Sequence, residues 1–74
     1  MRKHCLTNCN HNVLQVLSVK LDLLWRYEKY LKDAKKEKHT KCSRLLMQMI
    51  KDDAKHVKAL KEMIIHKCEQ KKFK

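Results

Sequence analysis

From residue 13 onward the chain alternates between apolar and polar positions with the period of a helix. Leu14, Leu17, Leu21, Leu24, Glu28 and Leu31 follow a 3-4 spacing, the seam of a heptad pattern. Val13, Val16, Leu23, Tyr27 and Tyr30 widen this stripe to roughly 200° of the circumference at 100° per residue. A single facing helix covers much less, so the first helix needs more than one neighbour. A second helical pattern runs through Cys42, Leu45, Leu46, Met49, Ile50, Asp53, Val57, Leu60, Ile64 and Cys68. Between them, residues 32–41 lose the apolar rhythm, which predicts a helix–helix turn. Thr40 is the predicted N-cap of the second helix, and Asn8, Asn10 and Asn12 are candidates for the first. One uninterrupted helix is the alternative, because the eleven residues from Leu31 to Cys42 keep a stripe in phase.

The predicted fold is therefore all-α. It has a polar segment over 1–12, a two-helix antiparallel hairpin over 13–70 and a basic tail over 71–74. A lone hairpin leaves its wide apolar arcs uncovered, whereas two hairpins docked as a four-helix bundle cover them. The expected state is thus a homodimer or a higher homo-oligomer. Composition supports this reading. Seventy-four residues with no Gly and no Pro argue against tight β-hairpins and against a phosphate-cradling loop. Aromatics are only 5% of the chain, too few for a sheet sandwich or a base-stacking platform.

Charge adds a second theme. Nineteen Lys and Arg against eight Asp and Glu give a net charge of +11. Arginine supplies only Arg2, Arg26 and Arg44, so the excess is lysine, which predicts weak, sequence-independent attraction to nucleic acid or other polyanions. No cleavable leader and no membrane span are read near the amino end, giving an expected cytoplasmic location with reduced thiols. No serine nucleophile is set beside a base, and a Cys–His pair needs a pocket that two helices do not form, which argues against a self-contained enzyme and leaves only metal-based activity open.

Three ionisable groups occupy seam or near-seam positions where leucine is expected. They are Glu28, Asp53 and His56, and buried carboxylates are either paired or ligated. Asp53 and His56, three apart on one helix face, present an oxygen and an imidazole side by side, a pair suited to a divalent metal. Antiparallel register puts Glu28 about 7 Å from their level. Asp22 is nearer that level but lies on the polar face. Lys20 is at the right level, so a Lys20–Asp53 ion pair is the metal-free alternative.

Trp25-Arg26-Tyr27, then Asp33-Ala34-Lys35-Lys36, then Asp53-Ala54-Lys55-His56-Val57-Lys58-Ala59-Leu60 resembles the first helix pair of rubrerythrin-type ferritin-like proteins, over roughly residues 14–65. The resemblance implies a half-ferritin hairpin. Asp53 and His56 match the family's Glu-x-x-His, with Asp in place of Glu, and Tyr27 matches its tyrosine beside the metal. It also implies an iron site, or a manganese or zinc one, with Glu28 or Asp22 assisting, and oxidation of ferrous iron or peroxide handling as the chemistry. The family's first glutamate falls on Lys20, which replaces an anionic ligand by a cation.

A second candidate cluster lies at the open end of the hairpin. In antiparallel register Cys9 is level with Cys68 and His11 with His66, with His4 and Cys5 close in sequence. Zinc takes four such ligands tetrahedrally. The alternative is that Cys9 and Cys68 act as small, partly buried apolar groups.

Overall fold

A computed structural model describes residues 6–74, which form two long helices, α1 (Asn8–Lys36) and α2 (Thr40–Glu69), with no strand among the described residues. They fold back on one another as an antiparallel hairpin measuring 51 × 27 × 13 Å. Its radius of gyration is 16.5 Å, against about 11 Å for a compact domain of this length. The described residues form a flat slab two helices wide, in which each helix packs against the other.

The turn is much shorter than residues 32–41. Lys, Glu and Ala are good helix formers, so loss of the apolar rhythm does not end the helix. α1 continues to Lys36, leaving only Glu37, Lys38 and His39 as connection. His39, not Thr40, caps α2, its Nδ1 accepting from the Cys42 amide at 3.3 Å. Thr7, not an asparagine, caps α1, its hydroxyl accepting from the Asn10 amide at 3.3 Å. Helix thus begins at Asn8, inside the segment read as polar.

Both helices end in the same way. The His39 amide donates to the Ala34 carbonyl and the Lys38 amide to that of Lys35; the Lys72 amide donates to the Lys67 carbonyl and the Lys71 amide to that of Cys68. This is the Schellman arrangement, which needs a left-handed residue just past the helix. With no glycine in the chain, Lys38 (φ 59°) and Lys71 (φ 57°) take that position. A side chain there crowds its own carbonyl. Lys38→Gly and Lys71→Gly are each expected to raise stability by about 0.5–1 kcal/mol in chemical denaturation, and an unchanged or lower midpoint contradicts the assignment.

Burial picks out two 3-4 seams. In α1 the residues not exposed are Asn10, Val13, Leu17, Lys20, Leu24, Tyr27, Leu31 and Ala34, with Leu23 alone beside them. In α2 they are Ser43, Leu46, Ile50, Asp53, Val57, Leu60, Ile64 and Lys67. Leu14, Leu21 and Glu28 flank the first seam; they do not form it. The competing row Val13, Lys20, Tyr27 wins because its members meet partners across the interface. Core formation is sparse: Tyr27 and Ala34 are the buried apolar residues, while Leu14, Val16, Val19, Leu21, Leu45 and Ile65 are exposed.

Candidate functional site

Midway along the hairpin, Asp53 is 8% exposed in the α2 seam. Its two oxygens have separate partners from α1. Lys20 Nζ donates to Oδ1 at 2.9 Å, and the Tyr27 hydroxyl donates to Oδ2 at 3.0 Å. Lys20 and Tyr27 lie seven residues apart, two turns of one helix, and so bracket the carboxylate from above and below. One turn on in α2, His56 Nδ1 lies 3.4 Å from Oδ1. No buried side-chain polar atom among the described residues lacks a partner.

Electrostatics follow from this geometry. The Lys20 ammonium holds the Asp53 carboxyl below the ordinary aspartate range, outweighing the opposing effect of burial, with the Tyr27 hydroxyl helping. Burial pushes the Tyr27 phenol above its ordinary range, and the facing carboxylate adds to the rise. The tyrosine stays a neutral donor and the aspartate a charged acceptor. Tyr27, 3% exposed, packs edge-on against the Tyr30 ring at a centroid distance of 6.2 Å.

The structure does not gather Asp53, His56 and Glu28 as one set of ligands. Asp53 and His56 are together, but the Asp53 oxygen nearest the imidazole already carries the Lys20 ammonium. Glu28 is not with them. Its side chain is 79% exposed and lies 4.0 Å from Lys32 on the opposite flank of the seam from His56, because positions 28 and 56 follow different seam residues in an antiparallel pair. Asp22 is also elsewhere, paired with Arg26 at 2.9 Å.

Among the described residues the open end does not assemble a zinc site either. Cys9 and Cys68 are exposed free thiols on opposite flanks of the seam, and His11 and His66 also fall on opposite sides. Between them the seam holds Asn10 and Lys67, and Lys67 Nζ approaches Cys9 Sγ at 3.6 Å. His11 Nδ1 faces its neighbour Asn12 at 3.3 Å. His4 and Cys5 lie outside the described residues. Among the described residues no three His, Cys, Asp or Glu side chains come together as metal ligands.

What stands at this end is a polar latch centred on Asn10, which is 1% exposed. Its Nδ2 donates to the carbonyls of Lys72 (2.9 Å) and Lys74 (3.0 Å), and its Oδ1 accepts from Lys67 Nζ at 2.6 Å. The Thr7 amide adds a bond to the Lys74 carbonyl at 2.7 Å.

The larger feature is the flank of the seam that carries Cys9, Val16, Leu23 and Tyr30 from α1 and Cys42, Met49, His56 and Met63 from α2. Val13, Val16, Lys20, His56, Leu60 and Met63 line one open groove along it. None of the eight flank residues is an acid, a lysine or an arginine, in a chain that is 36% charged. The other flank carries Leu14, Leu21 and Met47, but also Glu28 and Lys61.

Among the described residues no helix is long and apolar enough to cross a membrane. No protein-family model matches the chain, and no curated protein or solved structure matches it.

Proposed function

We propose that this chain is a self-associating interaction module, in which two hairpins dock through the uncharged flank to make a four-helix bundle with a metal-free polar core. The observation that carries the reading is the groove from Val16 to Met63. Its rim positions carry no acid, lysine or arginine, and the one cation in its lining, Lys20, is engaged by Asp53, on a molecule of net charge +11 that repels its copies wherever free lysines meet. The dimensions support it. A 51 × 27 Å face exceeds the ~800 Å² per partner of a stable interface, and two 13 Å slabs stacked are nearly as deep as they are wide. On this reading the likeness to ferritin-like hairpins is one of architecture. Lys20 stands where that family places a glutamate, and its ammonium neutralises Asp53 as a metal does there.

Light scattering tests the association. A mass near twice 9.0 kDa is expected at micromolar concentration. Met49→Lys together with Met63→Lys on the groove flank is expected to give monomer, whereas Leu21→Lys on the other flank keeps the dimer. A monomeric parent protein rejects the proposal, and dissociation by Leu21→Lys alone places the interface on the wrong side. In the same samples, ferrous, manganous or zinc ions are expected to leave the melting temperature unchanged. A rise with metal restores the metal-binding reading.

A further inference from the structure

Three of the five exposed cations of α1 have a carboxylate partner, Lys35 and Lys36 at its end having none among the described residues, whereas those of α2 have no such partners. On α1, Arg26 is paired with Asp22 at 2.9 Å, Lys29 with Asp33 at 3.3 Å, and Lys32 with Glu28 at 4.0 Å, each one turn away. On α2, Lys41, Arg44, Lys51, Lys55, Lys58 and Lys61 are all exposed, and among the described residues none takes part in an ion pair. The spacing is regular. Positions 41, 44, 48, 51, 55 and 58 repeat at 3-4 intervals on the outer side of α2, interrupted only by Gln48, and Lys61 stands beside the end of the row, on the flank that carries Met47. At 1.5 Å per residue the row is about 30 Å long. Asp52 lies on its shoulder, engaged by Gln48 at 3.0 Å, and Glu62 ends it.

We infer that this ridge binds double-stranded nucleic acid through its phosphates, without regard to sequence. Five of the six groups are ammonium ions, which act as point charges and do not present the planar fork that reads base edges. No Phe, Trp or Tyr lies in α2, and neither of its histidines is in the ridge, so the ridge offers no ring on which unpaired bases stack, which disfavours a single strand. No apolar residue interrupts the ridge between 41 and 61, which disfavours insertion into a lipid surface. A duplex carries one charge per ~1.7 Å of axis, so a straight 30 Å row meets ample phosphate along a rigid partner. Apart from Lys61, the ridge faces away from the seam, and none of it lies on the groove flank, so this inference stands whether or not hairpins associate.

The test is fluorescence anisotropy with a labelled 20-base-pair DNA duplex, its RNA counterpart and the single strand of equal length, at 50 to 200 mM salt. Four to six neutralised phosphates predict a log–log salt slope of about −4 to −5, a loss of several hundred-fold across that range. Lys51→Gln, Lys55→Gln and Lys58→Gln combined is expected to make the slope shallower by about 3. Lys71→Gln, Lys72→Gln and Lys74→Gln combined removes the same charge from the tail and is expected to change it by less than about 1. Unaltered helical circular dichroism checks both variants. Equal losses from the two triple variants overturn the ridge as the site, since net charge then explains the attraction. Binding insensitive to salt, tighter binding to the single strand, or ridge-dependent binding to phosphatidylserine vesicles without duplex binding also overturns the inference.

Discussion

Asp53→Ala is expected to cost about 2–3 kcal/mol of stability, or roughly 10–20 °C in melting temperature for a chain of this size. The loss does not come from one missing hydrogen bond. Removing the carboxylate leaves the Lys20 ammonium and the Tyr27 hydroxyl inside the seam with nothing to receive them, and uncompensated polar groups are the costly outcome. The figure sits below the 3–5 kcal/mol of a fully buried pair because the Lys20 side chain is 25% exposed and can turn toward water. A change under about 0.5 kcal/mol contradicts the assigned role.

The pH dependence separates a charged network from simple packing. Asp53 is held below its ordinary value, so it binds fewer protons folded than unfolded. Its contribution is therefore complete above the ordinary aspartate value, about 3.9, and is lost as pH falls through the lower folded value. Tyr27 is raised, so its contribution is complete below the ordinary phenol value, about 10, and is lost as pH rises through the folded one. The parent protein is thus expected to show a plateau with an acid fall that Asp53→Ala lacks. Lys20→Met, Tyr27→Phe and Asp53→Leu together are expected to recover most of the lost stability, since a well-packed apolar layer commonly equals a buried ion pair. Lys20→Glu sets a second carboxylate against Asp53 and is expected to destabilise the metal-free protein.

Two helices without strands were legible in the spacing of apolar residues, and so were Leu17, Leu24 and Leu31 in one seam and Leu46, Ile50, Val57, Leu60 and Ile64 in the other. The rest of the α1 seam was hidden because hydrophobicity alone ranks Leu14, Leu21 and Glu28 on a par with Val13, Lys20 and Tyr27. The deciding signal lies in the opposite helix. Asp53 in a leucine position requires a cation and a donor across from it, and only the Val13–Lys20–Tyr27 row supplies both. The Lys20–Asp53 pair was therefore accessible from register. The fate of Glu28 was not, because its side of the helix depends on which row wins. The helix ends were obscured by an alphabet without glycine. Lysines took the left-handed positions, and a polar run of good helix formers looked like a loop.

Asn10 had the least visible role, since an asparagine near a helix start reads first as a cap. Asn10→Ala is expected to lower stability by about 2–4 kcal/mol, as it strips partners from two carbonyls and one ammonium at a fully buried position. Asn10→Asp is the sharper test. A carboxylate keeps an acceptor for Lys67 and adds opposite charge, so if the Lys67 contact dominates, this variant equals or exceeds the parent protein. If instead the amide's two donors to the Lys72 and Lys74 carbonyls dominate, the aspartate turns an oxygen toward two oxygens and fails nearly as badly as alanine. The second outcome is expected, because two bonds are lost to repulsion while one is strengthened. Hydrogen exchange locates the damage. In both variants the Thr7 amide, which donates to the Lys74 carbonyl, should lose protection before the amides around Asp53 do. Protection that falls uniformly along both helices would mean that Asn10 serves the seam as a whole and that the tail is held by other contacts.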